Sequence, residues 1–142
     1  MNLSGDILFD ALSESFVVKK YGHYSQVLSL QRPRLYSGWG REFEENCLYI
    51  AQGEQLPGNP IFREGAVVIC IGSSMPEIYR SGSYSCLIVE NSELITVNNT
   101  VLDIFDQFDA WDRALRETIE TTADIQKMLE LSFPIFENPI VV

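Results

Sequence analysis

Three short runs of consecutive apolar residues dominate the middle of the chain: Cys47-Leu48-Tyr49-Ile50-Ala51, Ala66-Val67-Val68-Ile69-Cys70-Ile71 and Cys86-Leu87-Ile88-Val89. A strand with one wet face alternates apolar and polar residues, so unbroken runs predict strands covered on both faces, as in a sheet layered with helices. The stretch from Gln52 to Gly65 carries Gly53, Pro57, Gly58 and Pro60 and has room for no more than one helical turn. Upstream, Ser4 is a good N-cap, and Ile7, Leu8, Ala11 and Leu12 recur at helical spacing, predicting a short helix over about residues 5 to 16. Gly22 breaks that pattern. Val27-Leu28-Ser29-Leu30 and Arg34-Leu35-Tyr36 read as short strands around Pro33, and Ser37-Gly38-Trp39-Gly40 as a turn.

Downstream, Asn98 or Asn99 is placed to cap a long helix reaching about Thr118, with Val101, Ile104, Phe105, Phe108, Trp111, Leu115 and Ile119 on one face. That face is expected to pack on the sheet, with Trp111 largely buried. A second helix is expected after Thr121-Thr122, presenting Ile125, Met128 and Leu129 inward and ending near Pro134. Asn138-Pro139 then turns the chain into Ile140-Val141-Val142, which has the look of an opening strand. The pattern predicts an α/β fold, a single domain with a mixed or mostly parallel sheet of about five strands flanked by helices. No internal repeat or low-complexity segment is visible.

Composition supports a folded chain. Of 142 residues, 46% are hydrophobic and 21% charged, unlike the polar, highly charged make-up of disordered segments. No apolar run approaches the ~20 residues that cross a bilayer, and MNLSGDILFD carries acids where a secretory signal carries Lys or Arg, so a cytoplasmic location with no membrane contact is expected. Cys47, Cys70 and Cys86 are odd in number and sit inside apolar runs, which fits buried free thiols better than a disulfide framework or a zinc site.

Charge narrows the partners. The net charge is −10, yet residues 1–41 hold five basic side chains (Lys19, Lys20, Arg32, Arg34, Arg41) against three acidic ones (Asp6, Asp10, Glu14). Nucleic-acid affinity rests on Lys and Arg neutralising phosphates, so a domain this acidic is not expected to contact nucleic acid directly.

The candidate chemistry is sparse. His23, the only histidine, has no nucleophile motif beside it, and P-loop, His-Glu-x-x-His and Gly-x-Gly-x-x-Gly patterns are missing, so no catalytic residue, metal or cofactor is expected. Asp103, Asp106, Asp109 and Asp112 step by three along a helix and so spread around it rather than converging; Asp112 falls nearest the apolar face, with Arg116 one turn on as its partner. Each central strand ends in small or polar residues, where open α/β sheets bind ligands. If the three strands lie side by side and parallel, Gln52, Glu54, Ser73, Ser74, Glu90 and Asn91 share one rim, with Trp39 as an aromatic lid. Ordinary turn residues account for the same pattern.

The segments LDIFDQFDAWDRAL (102–115), IQKML (125–129) and FPIFENPIVV (133–142) together resemble the end of the N-terminal domain in PucR-type transcription regulators of Firmicutes and Actinobacteria. In that family an Ile-Phe-x-x-[Phe/Tyr]-x-x-Trp-x-x-x-Leu helix precedes a leucine-rich helix and an Asn-Pro-Ile lead into the next domain. Glu64 to Gly72 is similar to the family's glycine-bounded hydrophobic strand; the purine-catabolism subgroup often has Thr-Thr-Gly where this chain has Cys70-Ile71-Gly72. The resemblance implies that residues 1–142 are an N-terminal sensory or regulatory domain of a longer protein. The rest would be a middle sensory or dimerisation domain and a C-terminal helix-turn-helix that contacts DNA. It also implies control by a small-molecule effector. The alternative is a dimerisation or docking module without a ligand, and a homodimer fits either. The natural reading frame is expected to continue past Val142; sequencing of the parent gene that finds a stop codon directly after it would overturn the regulator reading.

Overall fold

Val67–Ile71 is buried along its whole length, as its unbroken apolar run predicts, and the sheet is built outward from it. The computed structural model describes residues 3–132 apart from Ser25, Gln26, Leu28, Ser37 and Trp39, with side chains as far as Thr121. The elements in chain order are α1 (Gly5–Ser13), β1 (Val18–Tyr21), β2 (Arg34–Leu35), β3 (Glu42–Phe43), β4 (Leu48–Gln52), β5 (Ile61–Phe62), β6 (Val67–Ile71), β7 (Cys86–Val89) and α2 (Leu94–Ser132). The fold is α/β. A five-stranded mixed sheet runs β1-β7-β6-β4-β2, parallel throughout except for β1, which lies antiparallel on β7. The chain divides into two compact units, residues 1–107 and 108–142.

Local chemistry fixes the ends. Ser4 caps α1 as expected, its Oγ accepting the Ile7 N–H at 3.2 Å. Strand β1 was not anticipated, because Lys19-Lys20 reads as polar; charged side chains on an outermost strand also discourage pairing with other chains. The predicted strand over Val27–Leu30 does not form in the described part of that segment. There the Val27 carbonyl accepts from Gly5 N–H and the Leu30 N–H donates to Leu3, which spends the backbone on the chain start.

β4 and β6 pair so that Leu48 lies beside Val67, 19 positions on, and β3 and β5 pair at the same offset, Glu42 beside Ile61 and Phe43 beside Phe62. This is an internal structural repeat that the sequence reading missed. Each copy is a two-residue strand, a tight turn and a five-residue strand, and the turns touch: Asn46 N–H donates to the Glu64 carbonyl at 3.1 Å. Both turns need a left-handed residue, Asn46 (φ 56°) in one and Gly65 (φ +77°) in the other. A Cβ on Gly65 would crowd Asn46 Oδ1 at a φ that L residues rarely adopt, which favours glycine there.

Side-chain alternation gives the sheet two unlike covers. One face carries Tyr49, Ala51, Val68, Cys70, Cys86 and Ile88 and is roofed by the aromatic residues of the β3 and β5 coils and the following loop. Phe43 meets Tyr49 edge-on at 5.0 Å, and Phe62 stacks on Tyr84 at 4.5 Å. The other half of the core holds Leu48, Ile50, Val67, Ile69, Ile71, Leu87 and Val89, with Leu8 and Leu12 of α1 and Val97, Val101 and Phe105 of α2. The three cysteines are buried free thiols, as expected.

The two expected C-terminal helices are one. α2 begins at Leu94, ahead of the proposed Asn98 cap, and continues through Thr121-Thr122 to Ser132. Neither Gly nor Pro interrupts it, and a threonine costs a helix only about 0.5–0.7 kcal/mol relative to alanine. Thr100 and Thr118 return their hydroxyls to the carbonyls of Thr96 and Ala114, each at 2.9 Å. Trp111 is 52% exposed, contrary to the expected burial. The fully packed stripe is Val97, Val101 and Phe105, and Trp111 belongs to the second unit, where its ring lies 6.1 Å from that of Phe108. Asp112 does pair with Arg116, at 3.2 Å. Asn138-Pro139 and Ile140–Val142 lie outside the described residues.

Two buried tyrosines should respond oppositely to loss of the hydroxyl. Tyr79 O–H donates to the Pro57 carbonyl at 2.7 Å, so Tyr79→Phe strands that carbonyl and should cost about 1–3 kcal/mol in urea unfolding. Tyr24 O–H has no partner among the described residues, so Tyr24→Phe should be neutral or stabilising. Burial pushes both phenols up, and a hydrogen bond to Cys86 followed by burial pushes the Cys70 thiol up. All three are held neutral by the fold, so their contribution is complete below the unfolded values of about 8.5 for Cys and 10 for Tyr, and stability should fall as pH rises beyond them.

Candidate functional site

The condition set by the sequence is met: β4, β6 and β7 are parallel neighbours, so their carboxyl ends open on one side. Gln52 is the last residue of β4 and lies beside Ile71 of β6, while Glu54 follows, exposed, in the 3-10 turn Gly53–Gln55. Ser73 and Ser74 are exposed just past β6, and Glu90 and Asn91 follow β7. The backbones meet closely here. Gly72 N–H donates to the Val89 carbonyl at 2.9 Å, and a Cβ on Gly53 would lie 2.4 Å from the Ser74 carbonyl oxygen.

Two residues not singled out in the sequence organise this rim. Arg80, at the end of the 3-10 turn Glu77–Arg80, donates through Nη2 to the Ser73 carbonyl at 3.2 Å and to Glu90 Oε1 at 3.3 Å. Lys19 Nζ reaches the same Glu90 oxygen at 3.2 Å, because antiparallel β1 brings its first residues to the carboxyl end of β7, Lys19 beside Ile88. One carboxylate thus sits between two cations, a cluster of net charge +1 in a chain of −10.

A cleft of about 220 Å³ opens beside this cluster, lined by Ser15, Phe16, Val17, Lys19, Ile88, Val89, Glu90, Asn91 and Ser92. Its lining combines apolar residues with polar and charged ones. Drug-sized ligands occupy roughly 300–1,000 Å³, so this volume suits only a compact molecule. Of the candidate residues, Glu90 and Asn91 line the cleft; Ser73 is tied to Glu90 through Arg80; Gln52, Glu54 and Ser74 share the rim without lining it. Trp39 lies outside the described residues. Lys19 and Arg80 were missed because their roles depend on strand pairing: Lys19 needs β1 to be a strand, and Arg80 reaches Glu90 only across the β6–β7 connection.

Among the described residues, no group of three or more His, Cys, Asp or Glu side chains is placed to hold a metal ion, and no helix is long and apolar enough to cross a membrane. No protein-family model, curated protein or solved structure matches the chain.

The close approach at the rim sets a direct test. Gly53→Ala forces a methyl against the Ser74 carbonyl and should destabilise by about 1–3 kcal/mol in urea unfolding. Gly58→Ala, with open space around it, should be neutral or gain up to about 1 kcal/mol.

Proposed function

We propose that the chain is the N-terminal regulatory domain of a bacterial transcriptional regulator of the PucR type. It binds a small metabolite at the β7 end of the rim and passes its ligand state to a downstream DNA-binding domain. The observation that carries this reading is the cleft flanked by Lys19, Glu90 and Asn91 at the carboxyl ends of parallel strands. A locally positive cluster in an acidic protein favours a ligand with an anionic group, and the small volume limits it to the size of an amino acid or a short organic acid. An incoming carboxylate competes with Glu90 for Lys19, while the Asn91 amide offers both a donor and an acceptor. Asn91 and Ser92 also form the connection into α2, which begins at Leu94, so a ligand there bears directly on the start of that helix.

Differential scanning of the domain against amino acids, small organic acids and purines tests this. A bound effector at a hundred times its dissociation constant should add about 2.7 kcal/mol of stability. Lys19→Ala and Asn91→Ala should remove that gain while changing the unliganded melting point little, since exposed ion pairs contribute about 0–1 kcal/mol. A ligand whose affinity survives both substitutions binds elsewhere. A broad panel without a single stabilising compound sinks the sensing reading.

A further inference from the structure

Glu90 uses only half of its carboxylate in the fold. Its Oε1 accepts from Lys19 Nζ at 3.2 Å and from Arg80 Nη2 at 3.3 Å, whereas Oε2 makes no hydrogen bond among the described residues. The side chain is one-third exposed and lines the cleft together with Lys19, itself half exposed. A carboxylate oxygen has about two acceptor sites, so Oε2 is open to a donor, and a charged donor makes the stronger bond. Lys19 has donors to spare as well, since an ammonium carries three and one is given to Glu90. The cleft therefore offers a cationic donor and an anionic acceptor side by side.

Spacing and charge select the ligand. With Lys19 Nζ and Glu90 Oε1 3.2 Å apart, a solute that uses both side chains must carry its own opposite charges equally close together. An α-amino acid, with ammonium and carboxylate on one carbon, does so; an amino acid with its amine at the far end of the chain does not. A simple carboxylate would satisfy Lys19 and set a second anion against Glu90, and a simple amine would set a second cation against Lys19. The rest of the lining describes the side chain. Phe16, Val17, Ile88 and Val89 are apolar, and Val17 is left 85% exposed, a surface that gains only when an apolar group covers it. The Asn91 amide, which makes no hydrogen bond among the described residues, adds a neutral polar contact.

We propose that the ligand of this cleft is a free α-amino acid with an apolar side chain, its carboxylate on Lys19 and its ammonium on Glu90 Oε2. Glu90 is then the residue that separates amino acids from other small carboxylates. This rests on the reading of the cleft as an effector site and names its ligand class. Isothermal titration calorimetry of the 142-residue chain at neutral pH tests it with L-alanine, L-valine, L-leucine and L-isoleucine. Each is compared with the same acid lacking the amino group and with the isomer carrying that group at the far end of the chain. At least one of the four should bind, at least about tenfold more tightly than both of its counterparts, the factor expected of a hydrogen bond between charged groups. Glu90→Gln keeps the shape of the side chain, and a melting curve verifies that it folds. In that variant the preference for the amino acid over the acid lacking the amine should collapse to about one, while the simple acid binds no more weakly than before, because a competing anion is gone. Equal binding of an amino acid and its counterpart by the unaltered chain, or a preference that persists in folded Glu90→Gln, overturns the proposal and leaves the sensing reading standing. So does a stabilising compound of another class when none of the four amino acids binds. Only a panel in which nothing binds removes both together.

Discussion

A strand without a polar side chain on either face must be covered twice, and β6 imposes that requirement on the rest of the first unit. Val67, Ile69 and Ile71 point one way, Val68 and Cys70 the other, and all five are buried. The two covers are built differently. On one side helices supply the stripe of Val97, Val101 and Phe105 together with Leu8 and Leu12. On the other the polypeptide makes two passes of aromatic coil, with Phe43 and Phe62 4.8 Å apart, joined by the buried Tyr79 of the 3-10 turn Glu77–Arg80. Parallel strands need long connections to return to the same edge, and here the connection from β4 to β6 forms part of the second cover.

Much of this is legible in the sequence. Unbroken apolar runs placed β4, β6 and β7 to within a residue or so, because double burial leaves no other pattern, and Ser4 marked the start of α1. What escaped depended on partners distant in sequence. Lys19-Lys20 becomes a strand only because β7 offers its edge, and two-residue strands such as β3 and β5 carry too few residues for any periodicity. The 19-residue repeat left a faint trace, Phe43-x-Glu45-Asn46 against Phe62-x-Glu64-Gly65 and Gly53 against Gly72, hidden because Asn and Gly reach the left-handed conformation by different means. At the rim the positions of Ser73, Glu90 and Asn91 followed from strand ends alone, whereas the cations that give the rim its charge did not.

The apolar periodicity along α2 extends further than the surface that covers it. Periodicity shows that a stripe exists; it does not say that one surface covers all of it. Phe105 is nearly inaccessible while Trp111, six residues later, is half open. The same 3.6-residue rhythm thus continues across the boundary after Gln107, between units whose packing demands differ.

The matched turns before β4 and β6 constrain how the length of this chain can drift. A residue added within 44–47 or 63–66 would move a short strand of the outer ribbon against its partner in the main sheet, dislocating two registers at once. Near Gly58, where nothing crowds the backbone, the same addition would only lengthen an exposed bend. Relatives of this protein should therefore vary in length at the bend and keep a fixed count through the turns, so that gaps in an alignment would map the coil boundaries directly.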